Sequence, residues 1–384
     1  MTQVGTREPE PASSLSHAHE RLRAIDWDFS DSKDNGVHNL HPYPAKFIAA
    51  IPRELIQALG VAPGTAVLDP FCGAGTTLVV AQELGFPSVG IDINPIACLI
   101  SRVKTTPLPK TGITSTALRL TQVANLSDAA IPPIPNLAHW FKDGVSASLA
   151  ALLNQIDQVA DEALREHLRL ALSSIIVRVS NQDSDTRYAA VEKSGGGRSV
   201  REQFLAACMR LEESKSRHQT SAAPARVLER DILTVTPGII GCNISLVVTS
   251  PPYPNAYEYW LYHKYRMWWL GYDPLAVKQQ EIGARAHYFR KKHATFEEFR
   301  SQMGTILHLL SDVLIPGGYA CFVVGRSRIH GVDYDNAAMI ANEAASLGFA
   351  VLGRFSRVIQ ATRKSFNLSH ARIKTEEVLV LRKA

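Results

Sequence analysis

The 384-residue chain is poor in cysteine. Cys72, Cys98, Cys208, Cys242 and Cys321 are its full set, and no two form a CxxC pair. That spacing offers neither a zinc-ligand pattern nor a disulfide framework, and it agrees with reduced thiols in a cytoplasmic protein that holds no metal. No apolar run reaches membrane-spanning length, and the opening MTQVGTREPEPASSLSHAHE lacks the apolar centre of a signal peptide. This polar start reads as a flexible N-terminal tail over residues 1–30. One-sided charge is also missing: 41 Lys and Arg against 36 Asp and Glu leave +5, which tolerates a polyanionic partner without requiring one. There is no internal repeat. No Gly-Lys-Ser/Thr follows a glycine turn, which excludes a phosphate loop, and no GxSxG elbow is present to suggest a serine hydrolase.

What is present alternates between strand and helix. In GVHNLHPYPAKFIAAIPRELIQALG, Ile48, Ile51, Leu55, Ile56 and Leu59 recur at helical spacing, so a helix is expected from about Ala45, with Pro52 able to mark a second start. TAVLDPFCGAGTTLVVAQELG and PSVGIDINPIACLISRV each read as strand, turn and helix. The pattern resumes at ARVLERDILTV and ISLVVTSPPY and closes with GFAVLGRFSRVI and EEVLVLRK as strands. This predicts an α/β fold with a doubly wound, Rossmann-like sheet. Residues 108–224 break the rhythm with helical periodicity and a polar, glycine-rich stretch, which predicts a mainly helical insertion. The catalytic domain would then comprise residues 31–107 and 225–384.

Two motifs carry chemistry. In Asp69-Pro70-Phe71-Cys72-Gly73-Ala74-Gly75-Thr76-Thr77, glycines between strand and helix let a ligand approach the backbone. Asp92 ends the next strand at a distance suited to a ribose diol. The third glycine of GxGxxG is missing, which argues against nicotinamide or flavin. The second motif, Thr249-Ser250-Pro251-Pro252-Tyr253, ends an apolar strand with two prolines that cannot extend it. The Ser250 hydroxyl and the rigidly held Pro251 carbonyl could accept from the exocyclic amine of a planar base, with Tyr253 stacking on its face. Taken alone, each motif could equally be a tight turn or a capped strand end.

Together, DPFCGAGTT and TSPPY resemble the amino-methyltransferases of DNA that use S-adenosylmethionine. HPYPAKF resembles the cofactor motif such enzymes place ahead of the glycine turn, and LIPGGYACFVVG and KTEEVLVL resemble their late sheet elements. The likeness covers residues 36–105 and 225–384. It implies that Asp69, Gly73 and Gly75 line the methionine end of the cofactor and that Thr76 and Thr77 bond its carboxylate. Asp92 would hold the ribose, Asp231 would meet the adenine amine, Pro44 and Lys46 would close over the cofactor, and Phe71 and Ile93 would also belong to its site. Ser250, Pro251, Pro252 and Tyr253 would hold the target base. Serine at the first clamp position favours cytosine N4 over adenine N6, and the absence of a Pro-Cys dipeptide speaks against carbon-5 chemistry. The implied reaction is direct displacement on a cytosine flipped out of double-stranded DNA. Adenine N6, an RNA base amine, or a noncatalytic DNA-binding module retaining the cofactor fold are the alternatives. The resemblance further implies a monomer or homodimer in a bacterial restriction-modification setting, with a cognate restriction endonuclease as partner.

DNA contacts are expected from basic side chains outside these motifs. Arg187 and Arg198 lie in the insertion, Arg290 and Lys291 in GARAHYFRKKHATF, and Arg363 and Lys364 in the late loop. The aromatic run from Tyr257 to Trp269 has the spacing of a helix that turns most of its rings into a core.

Overall fold

The computed structural model describes residues 12–34, 36–44, 46–124, 130–185, 187–191, 193, 199–218, 222–254, 257–288, 294–359 and 375–384. The strands are β1 (Ala66–Asp69), β2 (Ser88–Asp92), β3 (Ala225–Glu229), β4 (Ile244–Thr249), β5 (Leu314–Gly325), β6 (Ser327–Ile329), β7 (Val332–Tyr334), β8 (Phe349–Val358) and β9 (Thr375–Lys383). The helices are α1 (Ala12–Arg23), α2 (Ala50–Leu59), α3 (Thr76–Glu83), α4 (Pro95–Thr105), α5 (Ile113–Val123), α6 (Leu137–Trp140), α7 (Asp143–Asp157), α8 (Glu162–Val179) and α9 (Val200–Ser216). They continue as α10 (Pro237–Ile240), α11 (Tyr259–Trp269), α12 (Pro274–Gln280), α13 (Phe296–Val313) and α14 (Asn336–Ala345).

Seven strands form one sheet in the order β3-β2-β1-β4-β5-β9-β8. The first five are parallel and β9 runs antiparallel to both its neighbours. This is a Rossmann-like doubly wound α/β fold. Strand order reverses between β1 and β4, and in such sheets ligands bind beyond the carboxyl ends of the strands at that reversal. Asp69 and Thr249 are the last residues of those two strands.

The period-two geometry of strands divides the sheet between two cores. Leu68, Ile91, Val247, Phe322 and Leu379 pack with Met303, Ile306 and Leu310 of α13 and Ile340 of α14. Their neighbours Val67, Leu246, Val248, Val323 and Val380 face the other way, onto Ile51, Leu55 and Ile56 of α2. With both faces covered, the central strands need unbroken apolar runs, and β4 is buried throughout.

Two expectations are corrected here. The helix foreseen from Ala45 begins at Ala50, and Pro52 belongs to its first turn, where a missing N–H costs nothing. Residues 12–30 are not a loose tail. Leu22 and Trp27 are buried, the Trp27 indole N–H donates to the Leu22 carbonyl at 3.2 Å, and its ring stacks on Phe355 with centroids 5.5 Å apart.

Between residues 108 and 224 the described residues form α5 to α9. Their apolar faces share a third core with α4 and α11, including Leu149, Leu168, Leu172 and Phe204 from this segment, Ile100 and Val103 from α4, and Trp260 and Trp269 from α11. No helix among the described residues is long and apolar enough to cross a membrane.

Candidate active site

The loops after β1 and β4 open into one cavity. Phe71, Cys72, Gly73, Ala74 and Thr76 line one side, Asp92, Ile93 and Asn94 a second, and Ser250 and Pro252 a third. Tyr43, Lys46 and Phe47 of the leading motif, Arg230, Asp231 and Ile232 after β3, and Tyr259, Gln280, Glu281 and Ile282 complete the wall.

The two strand ends are joined directly. The Thr249 hydroxyl donates to Asp69 Oδ1 at 2.7 Å, and the Phe71 N–H donates to the same oxygen at 3.1 Å. Asp69 Oδ2 is buried without a hydrogen-bond partner. Burial pushes the Asp69 carboxyl up to about 6, against the pull of these donors.

The glycine turn is held from several sides. Gly73 and Gly75 adopt φ of 48° and 74°, in the left-handed region that favours glycine. A Cβ on Gly75 would lie 2.7 Å from Ser101 Oγ, so α4 packs where a side chain would be. Lys104, fully buried in α4, donates to the carbonyls of Ala74 at 2.8 Å and His38 at 3.3 Å. Lys46 donates to the same His38 carbonyl at 2.6 Å and to Asn39 Oδ1 at 2.9 Å. The leading motif is thereby fastened to the glycine turn.

Asp92 occupies the centre of the second wall. Its Oδ2 accepts from Gly73 N–H at 2.9 Å and its Oδ1 from Asn94 N–H at 2.8 Å. Burial raises its carboxyl to about 6, with these backbone donors pulling it down. Each oxygen keeps a free lone pair, so a carboxylate fixed by two amides can still accept from a diol. Asp231 lines the cavity and caps the short turn Ile232–Thr234 through Leu233 N–H at 3.0 Å.

Not every expected residue is on the wall. Phe71, Gly73, Thr76, Asp92, Ile93, Asp231, Lys46, Ser250 and Pro252 are, whereas Asp69, Gly75 and Thr77 lie beneath it. Thr77 donates to the Val248 carbonyl at 3.3 Å and supports β4 instead of facing a ligand. Pro44 and Pro251 are buried off the wall. Tyr253 was expected to stack on a base. Its ring is buried off the wall, and its hydroxyl shares its one hydrogen between the Val323 carbonyl at 3.2 Å and Glu376 Oε1 at 3.0 Å, because a buried phenol needs a partner. Among the rings on the wall, Tyr43 and Tyr259 stack with centroids 5.8 Å apart. Arg187 is exposed and pairs with Asp183 at 3.4 Å, while Arg198, Arg290, Lys291, Arg363 and Lys364 lie outside the described residues. No group of three or more metal-ligating side chains is found among the described residues.

The motif reading missed Glu281. It is buried on the cavity wall, with Oε1 accepting from Tyr259 N–H at 2.9 Å and Oε2 from Trp260 N–H at 2.7 Å. Burial pushes its carboxyl up to about 8, against those two donors. No local signal marks it.

A family model described as DNA methylase matches residues 7–102. These residues hold the leading motif, the glycine turn and Asp92. The chain is 27% identical over 243 residues to Type II methyltransferase M.MvaI of Kocuria varians, covering 57% of this chain and 54% of that protein. It is 23% identical over 286 residues to Type II methyltransferase M.BsoBI of Geobacillus stearothermophilus, covering 65% and 56%. These matches support the DNA amino-methyltransferase family. A shorter match, 48% identical over 88 residues to Type II methyltransferase M.SmaI of Serratia marcescens, covers 22% of this chain and 27% of that protein. The chain spans about half the length of the first two relatives. The family model's name joins N6 and N4, so it does not select between the two amines.

Proposed function

We propose that this chain is a site-specific DNA methyltransferase that binds S-adenosylmethionine and methylates the N4 amine of cytosine. The observation that carries the reading is the single cavity shared by the glycine turn, Asp92 and the Ser250–Pro252 edge. The donor set fits the cofactor. Asp92, held by two amides, suits a ribose diol, and Phe71, Ile93 and Ile232 supply apolar walls for a nucleobase beside Asp231. Lys46 and the start of α3 at Thr76 suit a carboxylate. Bound there, S-adenosylmethionine would supply an electrophilic methyl group.

The chain's own work is positioning. Ser250 and Pro252 border the space where a planar base would enter, and two consecutive prolines fix the backbone around them. The Ser250 hydroxyl can accept from an exocyclic amine; among the described residues its hydrogen-bond partner is the Tyr253 hydroxyl at 3.5 Å. Duplex DNA is the substrate, and the base reaches the cavity by leaving the stack. Serine at position 250 is the feature that favours cytosine. The insertion, with exposed Arg187, is assigned to target recognition, and a restriction endonuclease is the partner this activity would accompany.

The test is to incubate duplex DNA with labelled cofactor, digest it, and identify the nucleoside by mass spectrometry. N4-methylcytosine is the expected product, N6-methyladenine would move the activity to the other amine, and label in RNA alone would overturn the substrate. Ser250→Ala removes one acceptor near the reacting amine. It is expected to lower kcat about 10- to 100-fold while cofactor affinity stays near wild type. Single-turnover transfer alongside a cofactor titration checks both.

A further inference from the structure

One segment on the cavity wall touches both halves of the site and belongs to neither motif. Gln280, the last residue of α12, and Glu281 and Ile282 directly after it line the cavity. Glu281 grips the first two N–H groups of α11 with one carboxyl oxygen each, at 2.9 and 2.7 Å. These amides have no partner within their own helix, and the two carboxyl oxygens satisfy them. Four residues on, the Arg285 N–H donates to the Tyr257 carbonyl at 3.2 Å. Between them, Gly283 has φ of 73° and lies so close to the base-seat loop that a Cβ there would stand 3.2 Å from the Tyr253 carbonyl oxygen and 3.4 Å from Pro254 Cα. Residues 281–285 therefore run against Tyr253 and Pro254, with one end tied to the start of α11 and the other to Tyr257. Tyr259, whose amide Glu281 holds, presents its ring to the cavity and stacks on Tyr43 beside the glycine turn.

We propose that Glu281 is a positioning residue for methyl transfer: it clamps α11 to the strap of residues 281–285, and the strap holds the base seat in register with the cofactor cavity. This rests on the methyltransferase reading above. The clamp acts through backbone placement of residues 250–254 and through Tyr259, not through contact with the reacting atoms. A displacement of about 1 Å at such a seat can cost on the order of 100-fold in rate.

The experiment compares wild type with Glu281→Ala, Glu281→Gln and Gly283→Ala in the full chain. It measures S-adenosylmethionine affinity by titration calorimetry, single-turnover transfer to duplex DNA, and amide exchange at Tyr259 and Trp260. Glu281→Ala should lose protection at those two amides and slow transfer about 100-fold, while cofactor affinity changes less than about threefold. Glu281→Gln keeps one carbonyl acceptor and should recover part of both losses. Gly283→Ala should slow transfer with both amides still protected, because it disturbs the strap and leaves the clamp intact.

The proposal is overturned if Glu281→Ala transfers at the wild-type rate, if its amides stay protected, or if cofactor affinity falls by the same factor as the rate. The last result would make Glu281 a wall of the cofactor site alone. A wild type that binds cofactor but methylates no DNA would sink the functional reading instead, and the exchange data would still decide whether the clamp exists.

Discussion

Asp92→Ala is expected to weaken S-adenosylmethionine binding at least 100-fold. Two charge-assisted hydrogen bonds to a diol are worth about 3 kcal/mol together, and each 1.4 kcal/mol is tenfold in affinity. Part of the loss is indirect. The same carboxylate holds Gly73 N–H and Asn94 N–H, so its removal also loosens the glycine turn. Asp92→Asn separates the two effects, since its amide oxygen can keep one backbone bond but offers the diol a poorer acceptor.

The pH dependence of binding follows from the same group. The Asp92 carboxyl is raised to about 6 by burial, so the ligand-free protein takes up a proton as pH falls through that value. A diol prefers the carboxylate, and the proton therefore competes with the cofactor. Affinity should be about tenfold weaker at pH 5 than at pH 7, with that slope abolished in Asp92→Asn. Asp69 is also raised to about 6, but it lies beneath the wall. A slope that survives in Asp92→Asn would assign the proton there instead. Calorimetry across pH 5 to 8 decides between them.

The residues that could be read in advance share a property: each lies at the carboxyl end of a parallel strand at or beside the reversal of the sheet, and its neighbours in sequence are its neighbours in space. DPFCGAGTT, Asp92 and TSPPY satisfy this. Glu281 does not. It meets Tyr259 from 22 residues away, through backbone amides that carry no side-chain signature. Lys104 was equally silent, because a lysine at helical spacing reads as a solvated face until two carbonyls are found around its ammonium group. Tyr253 misled for the opposite reason. Its local context suggested a free ring, but Glu376, 123 residues on, captures the hydroxyl. In the N-terminal segment, the low apolar content hid the fact that Ala18, Leu22 and Trp27 are all buried. A few well-placed apolar side chains are enough to dock one helix.

Excising residues 108–224 is expected to leave no folded catalytic domain. The helical segment departs from the alternating pattern, yet it shares its core with α4 and α11. Ile96, Leu99, Ile100 and Val103 of α4 and Trp260, Tyr265, Met267 and Trp269 of α11 are all buried in the common cluster. Re-exposing even half of them costs about 8 kcal/mol at roughly 2 kcal/mol each, within the 5–15 kcal/mol that stabilises a typical domain. A single ion pair tests the same dependence more gently. The Arg266 guanidinium in α11 is 1% exposed; it donates to the Ser173 carbonyl at 3.1 Å and pairs with Asp185 of the helical segment. Asp185→Ala strands that buried charge and should cost about 3 kcal/mol, toward the low end for such a pair because Asp185 itself is partly exposed. Adding Arg266→Met should restore most of the loss, since a thioether fills the space without needing a counter-charge. Denaturant titrations of the single and double variants check this. An excised protein that stays soluble and binds cofactor would show that the helical segment is a separable module and that the shared core contributes little.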